Sequence, residues 1–332
     1  MSRPQRDLAV VIVNHNTRDL MLACLESLRS GGLDGLDAAI WVVDNASTDG
    51  SAEAVRAARP EVTVLVNDDN MGYAAANNRA LRAAGFGRLA PGAADDGAEP
   101  RPFRHALLLN PDTLVPPGAL ARLVTELEAD DAIGIAGPKL VLPDGTLDLA
   151  CRRSFPTPEV SFYRFSGLAK LFPGSRRFGQ YNLTYLDPEQ PCDVDSVVGA
   201  CMLVRGDAID EVGLLDDTYW MYGEDLDWSL RMRQAGWRAV YRPSVTVHHM
   251  KRASSTGSER ARFEFQRAMW LFYRKHYAAT TPWLVHALVM AGIALRGGPR
   301  LAREMRAAAR AASRDAAVAG PPTGTASERG SR

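Results

Sequence analysis

Short β-branched runs alternate with stretches of helical periodicity through the first half of this chain, and no other feature constrains its fold as tightly. Residues 8–13, 39–43, 62–66, 105–109 and 133–136 are apolar runs of strand length, while residues 18–30, 50–58, 73–84 and 117–128 repeat their apolar side chains at helical spacing. Neighbouring parallel strands need a crossover between them, so the order β-α-β-α-β-α-β predicts an α/β fold. Its sheet is doubly wound and mostly parallel, with flanking helices. Pro117 is expected in the first turn of its helix, where a missing N–H costs nothing. Sheet-forming runs return at 196–204, 239–241 and 244–247, around a helix over 225–235 that Gly236 ends. A longer helix follows over 259–276.

Each of the first four strands runs into a polar, turn-forming cluster. These are Asn14-His15-Asn16, then Asp44-Asn45 through Gly50, then Asn67 through Gly72, then Asn110-Pro111-Asp112. Any one of them reads as an ordinary turn. Four at the same end of a parallel sheet converge on the edge where such sheets bind ligands. Asp44, with Asn14 and Asn16 beside it, suits a ribose hydroxyl or a base N–H. Asp112 suits a hard divalent cation, Mg²⁺ or Mn²⁺, that would hold a nucleotide's diphosphate. Neither a glycine-rich dinucleotide turn nor a phosphate-loop motif follows the first strand, which disfavours the usual oxidoreductase and P-loop chemistries.

A second concentration of chemistry lies at Trp220-Met221-Tyr222-Gly223-Glu224-Asp225-Leu226-Asp227, where three carboxylates in four residues adjoin aromatic side chains. Solvated acidic faces seldom begin inside an aromatic cluster, so a catalytic base with supporting groups is expected here. His248 and His249 end a strand-like run, and alternation sends the two rings to opposite faces. His249 is taken as a metal ligand.

Lys plus Arg and Asp plus Glu both number 39, so net charge directs the chain to neither nucleic acid nor an acidic partner. Four cysteines without C-x-x-C spacing argue against a zinc site or a disulfide framework. The polar start at residues 1–7 and the short apolar run after it lack the pattern of a secretory signal, so a cytoplasmic location is expected.

Taken together, Val11 through Asn16, Val43 through Ser51, Asn70 through Asn78, Leu109 through Asp112, Gly199-Ala200-Cys201, Gly223 through Asp227 and His248-His249 resemble the family 2 glycosyltransferases of GT-A fold. They are most similar to rhamnosyltransferase-like members of bacterial cell-surface polysaccharide assembly. The resemblance runs from Leu8 to Tyr277. It implies a GT-A-type nucleotide-diphospho-sugar transferase sheet with a C-terminal helical extension. It also implies an inverting hexosyl transfer, L-rhamnose from dTDP-rhamnose in the family-level assignment, to a glycan or a polyprenyl-diphosphate-linked acceptor. Asn14, Asn16, Asp44, Asn45, Gly72, Asn77, Asn110 and Asp112 would bind the nucleotide-sugar, and Asp225 would be the base. Trp220, Tyr222, Glu224 and Asp227 would face the acceptor, with Asp112 and His249 holding the metal. Asn110 stands where the family commonly has the first acid of Asp-X-Asp, which leaves the cation one negative charge fewer. A sugar-1-phosphate nucleotidyltransferase would share the sheet but should carry a basic, glycine-rich loop after the first strand. A non-catalytic nucleotide- or glycan-binding protein would have no use for Asp225.

The expected organisation is a glycosyltransferase domain over 1–255, with a nucleotide half at 1–137 and an acceptor half at 138–255. A helical region over 256–315 and a disordered tail over 316–332 complete it. Residues 85–103 read as a flexible insertion and 152–191 as an irregular, lid-like segment. The apolar stretch at 283–295 is too short to span a bilayer, but with Trp283 before it and arginines after it, it suits a helix lying on an anionic membrane surface.

Overall fold

A computed structural model describes residues 5–87, 101–251 and 259–319. The chain opens with β1 (Arg6–Asn14), α1 (Arg18–Ser27), β2 (Ala38–Asp44), α2 (Ser51–Ala58), β3 (Thr63–Val66) and α3 (Tyr73–Ala83). It continues through β4 (Phe103–Leu109), the two-residue β5 (Thr113–Leu114), α4 (Ala119–Glu128) and β6 (Ile133–Val141). Two short helices, α5 (Pro158–Phe165) and α6 (Leu168–Leu171), precede β7 (Cys192–Val194), β8 (Cys201–Arg205) and α7 (Gly206–Val212). Then come α8 (Glu224–Gln234), β9 (Arg238–His249), α9 (Glu259–His276) and α10 (Trp283–Ala319).

The strands form one mixed sheet in the order β3-β2-β1-β4-β8-β6-β9-β5, with β7 added against β9. Its first four strands are parallel, and β8 enters antiparallel between β4 and β6. Alternation along β1 shows why helices cover both faces. Leu8, Val10 and Ile12 face one buried layer with Met21 and Leu25 of α1, Val55 of α2 and Leu123 of α4. Ala9, Val11 and Val13 face the other with Leu81 of α3, Ile209 of α7, and Trp228 and Met232 of α8. A strand buried on both sides cannot alternate with polar residues, which is why the run reads as uniformly apolar. Each buried Leu, Ile or Val among them contributes about 1.5–3 kcal/mol by leaving water.

Several expected boundaries move. Helix α4 begins at Ala119 rather than at Pro117, because Gly118 takes a left-handed conformation (φ 69°) and serves as the cap. Of residues 196–204, only those from Cys201 onward are strand; Ser196 makes an isolated bridge to Arg153 instead. The runs at 239–241 and 244–247 are a single strand, β9, whose register against β6 shifts between Pro138 and Lys139. Pro243 lies at that shift and has no N–H for the ladder. The lid-like segment is tied down: buried Arg152 donates to the carbonyls of Leu186 and Asp187. Most of the insertion at 85–103 lies outside the described residues, as does the tail beyond Ala319; residues 316–319 continue α10. Cys24, Cys151 and Cys201 are buried free thiols, in the role of small apolar groups.

The chain forms two compact units, the first ending at Thr280. Helix α9 therefore belongs to the sheet-bearing unit, where Ala268 and Phe272 pack with Phe155, Tyr219 and Leu226. In the second unit α10 is broken at Gly298 (φ 73°), and Pro299 starts its second part. No helix among the described residues is long and apolar enough to cross a membrane.

Candidate active site

The ends of the parallel strands carry a continuous polar rim. Asn14 and Asp44 face each other in register, and Asn14 Nδ2 donates to Asp44 Oδ1 (3.2 Å) and to Ser47 Oγ (3.1 Å). Asp44 Oδ2 accepts from the Ser47 N–H, so the carboxylate is buried and fully oriented. Asn45 joins the next loop by donating to Asn70 Oδ1 and the Gly72 carbonyl while accepting from Asn67. Asn16 sits exposed at the rim with positive φ, its Oδ1 accepting from the Thr48 N–H. Gly72 has φ 86°, and a Cβ there would lie 2.2 Å from the Trp220 carbonyl oxygen, so no other residue fits. Asn77 is buried on α3; its Nδ2 donates to the Tyr73 carbonyl, and its Oδ1 has no partner.

After β4, Asn110 bonds through its backbone to Ala200, and Asp112 turns into the protein. Among the described residues neither buried oxygen of Asp112 has a hydrogen-bond partner. His249 Nε2 lies 3.4 Å from Oδ1, an ion-pair separation without hydrogen-bond geometry. Pairing of β5 with β9 places Thr113 opposite His249, and Met250 N–H bonds the Asp112 carbonyl, so the two side chains are delivered together. His248 faces solvent, as alternation requires. The other ring nitrogen of His249, Nδ1, lies 2.9 Å from Asp148 Oδ2. Burial alone would push the His249 pKa down, but the flanking carboxylates of Asp112 and Asp148 outweigh it and lift it to about 9.

Two bare carboxylate oxygens beside an imidazole are the donor chemistry of a divalent-cation site. Among the described residues no three acidic, histidine or cysteine side chains form a closed cage. A cation held by Asp112 and His249 would thus keep positions open for diphosphate oxygens and water.

Helix α8 starts where Gly223 takes φ 80°, and its first turn holds Glu224, Asp225 and Asp227, where negative charge is favoured by the helix dipole. The three acids part company there. Asp225 is buried against Arg153 at 2.6 Å; the same Oδ2 accepts from Gly199 N–H at 3.2 Å, and among the described residues Oδ1 accepts only from Leu226 N–H at 2.8 Å. Glu224 is equally buried, but its Oε2 has no partner among those residues. Desolvation, reinforced by the charge of Asp225, pushes its pKa from the usual 4.5 to about 8. At neutral pH Glu224 therefore keeps its proton, while Asp225 is ion-paired with Arg153.

Asp227 is engaged between helices. It is fully buried, paired with Arg231 one turn along α8 and with Lys275 and His276 of α9 at 2.7–2.8 Å, so it ties two helices together. Trp220 and Tyr222 flank the start of α8. The Trp220 indole N–H donates to the Asn70 carbonyl under the Arg260 guanidinium, and Tyr222 meets Phe265 edge-on.

Tyr73 connects these regions. Its hydroxyl donates to the Gly199 carbonyl (2.9 Å), and its own N–H donates to the Trp220 carbonyl. Burial and the charges of Glu224, Asp225 and Asp112 hold its phenol well above the usual range. Gly199 N–H bonds Asp225 and the next carbonyl, Ala200, accepts from Asn110 N–H, so the start of α8 and the end of β4 meet at this turn. Sequence reasoning missed Arg153, Asp148 and Tyr73 as site residues. Arg153 and Asp148 lie in or beside the segment without periodicity, and nothing local marks either as paired across the fold.

The sequence pattern of Glycosyltransferase like family 2 matches residues 4–267. The chain is 33% identical over 223 residues to an N-acetylglucosaminyl-diphospho-decaprenol L-rhamnosyltransferase of Mycobacterium tuberculosis, covering 67% of this chain and 69% of that one. It is 23% identical over 274 residues to a low-salt glycan biosynthesis hexosyltransferase of Haloferax volcanii, covering 82% and 75%. Among solved structures it is similar to GalNAc-T7 with UDP, GalNAc and Mn²⁺, at TM-score 0.54 and 17% identity, covering 85% of this chain and about half (52%) of the other. A Pyrobaculum calidifontis mannosyltransferase with GDP-Man and Mn²⁺ aligns at TM-score 0.50 and 18% identity, covering 93% and 81%. With the GT-A fold and a match across most of its length, the chain belongs to glycosyltransferase family 2 and is a glycosyltransferase.

Proposed function

We propose that this enzyme transfers L-rhamnose from dTDP-rhamnose, with inversion, to a sugar on a polyprenyl diphosphate. The donor and acceptor are argued from its likeness to the mycobacterial rhamnosyltransferase. The chemistry comes from the site, and one observation carries it: Asp225, ion-paired with Arg153, and a protonated Glu224 are joined through Gly199 and Ala200 to the end of β4, where the Asp112 carboxylate is bare among the described residues.

Asp225 Oδ2 is committed to Arg153 and Gly199, whereas Oδ1 accepts a single N–H and keeps a lone pair. That lone pair takes the proton of the acceptor hydroxyl as its oxygen forms a bond to the anomeric carbon. The bond from that carbon to the diphosphate breaks on the opposite side, so one displacement inverts the centre. Arg153 fixes the plane of Asp225 through their ion pair, and the Glu224 hydroxyl is available to donate to a sugar oxygen. Asn14, Asp44, Asn45 and Gly72 cradle the nucleoside, with Asn16, Asn77 and Asn110 at its margins. Mg²⁺ or Mn²⁺ held by Asp112 and His249 would neutralise charge on the departing diphosphate.

The test is transfer from a panel of dTDP-, UDP- and GDP-sugars to a polyprenyl-diphosphate-linked N-acetylglucosamine. Turnover with dTDP-rhamnose at least tenfold above every other donor is expected. A UDP- or GDP-sugar that outperforms it removes the donor assignment, and absence of transfer from all of them removes the acceptor.

We further propose that the enzyme works at the cytoplasmic face of the membrane, as its lipid-linked acceptor requires. Trp283, Leu284, Leu288 and Leu295 expose large apolar surfaces on the first part of α10, and arginines follow. Co-sedimentation with anionic liposomes should drop several-fold for the full chain carrying Trp283→Ser and Leu288→Ser. Unchanged binding would exclude this helix as the anchor.

A further inference from the structure

We infer that Asp148 is the positioning residue of the metal site: it binds no cation itself but holds His249 in the one tautomer that can. This rests on the reading of Asp112 and His249 as the metal ligands.

The turn that brings Asp148 there is local. After β6 the chain reverses at Gly145 (φ 81°), Val141 bridges Leu147, and Asp148 N–H bonds the Leu140 carbonyl. Since β6 pairs with β9 through Val141 and His248, this reversal sets Asp148 beside His249. The Asp148 carboxylate is buried and fully engaged. Its Oδ1 accepts from Ala150 N–H at 3.1 Å and from Lys251 Nζ at 2.9 Å, while Oδ2 faces His249 Nδ1 at 2.9 Å.

Asp112 shows the opposite condition, with both oxygens bare. The two aspartates thus flank one imidazole with different duties. An ionised carboxylate only accepts hydrogen bonds, so Nδ1 must bear a proton in the bond to Asp148. In the neutral ring that leaves the lone pair on Nε2, the nitrogen that faces Asp112. A carboxylate behind a ligating histidine also raises the ring's basicity as a ligand, and losing one typically weakens metal binding 10–100-fold. Sequence alone does not reveal this, since Asp148 and His249 are 101 residues apart.

Asn at 148 preserves shape but offers an amide that can donate to Nδ1 and so turn the Nε2 proton toward Asp112. Mn²⁺ would be titrated by electron paramagnetic resonance, alone and with saturating UDP or dTDP, into wild type, Asp148→Asn and His249→Ala. The expected result is a Kd raised about 10–100-fold in Asp148→Asn and at least as much in His249→Ala. If His249→Ala weakens Mn²⁺ binding and Asp148→Asn stays within twofold of wild type, the positioning role is overturned while the metal site stands. If His249→Ala itself binds Mn²⁺ like wild type, the metal-site reading falls and this inference with it; donor-transfer assays report separately on the proposed reaction. Should Asp148→Asn fail to fold, wild type answers alone. In ¹⁵N-histidine protein loaded with Cd²⁺, long-range nitrogen–proton correlation should show a proton on His249 Nδ1 and none on Nε2. The reverse pattern overturns the proposal.

Discussion

Replacing Asp225 with Asn is expected to lower kcat for sugar transfer by about 10²–10⁴-fold, the usual contribution of a positioned general base. An amide in that place can still accept from Leu226 or Arg153, but it has no basic lone pair for the acceptor proton. Donor affinity should change little, since Asp225 takes no part in the rim around Asn14 and Asp44. The effect therefore belongs in kcat more than in KM. The variant should also be less stable, because Arg153 is buried with Asp225 as its only carboxylate partner among the described contacts. Removing one member of such a pair costs on the order of 3–5 kcal/mol. Activity is accordingly compared per folded molecule, with nucleotide binding as the check on folding. A kcat within threefold of wild type would remove Asp225 from the chemistry.

The second expectation concerns Glu224 and stability. Its pKa is raised by burial from 4.5 to about 8, so the folded protein keeps a proton that the unfolded chain has lost across that interval. A raised carboxyl pKa contributes stability that is fully present below pH 4.5 and is lost as pH rises through 8. Each pH unit within the window is worth up to about 1.4 kcal/mol, giving an effect of a few kcal/mol in all. Glu224→Gln mimics the neutral acid at every pH. Its Tm should match wild type near pH 5 and exceed it progressively up to pH 9. A difference between the two that stays constant with pH would show that Glu224 is ionised in the native protein.

Much of the architecture was legible in the amino-acid order. A doubly buried strand has no room for polar residues, so β1, β2 and β4 announce themselves as apolar runs, and polar clusters mark where each leaves the core. The rim formed by Asn14, Asp44, Asn45 and Gly72, the Asp112–His249 pair and the acidic start of α8 all follow from elements that local patterning places. Less was legible where long-range packing overrides local signals. The β9 strand looked like two because Pro243 interrupts its pattern, and α4 starts late because Gly118 is the better cap. Asp227 shared every local property of Glu224 and Asp225, yet helical geometry turns it toward Lys275 and His276.

Residue order alone carries the chemical inventory: a mostly parallel sheet with polar strand ends, a carboxylate and a histidine brought together, and a cluster of acids at the start of one helix. Residue type and short-range periodicity suffice for that, because they act within a strand or a turn. Long-range packing sets how the acids divide their roles. Asp225 is ion-paired because Arg153, 72 residues away, reaches it; Glu224 is the neutral one because it is buried with no partner for Oε2 among the described residues; Asp148 bonds His249 across 101 residues. Charge state is a property of surroundings, and these surroundings are assembled from segments far apart in the chain.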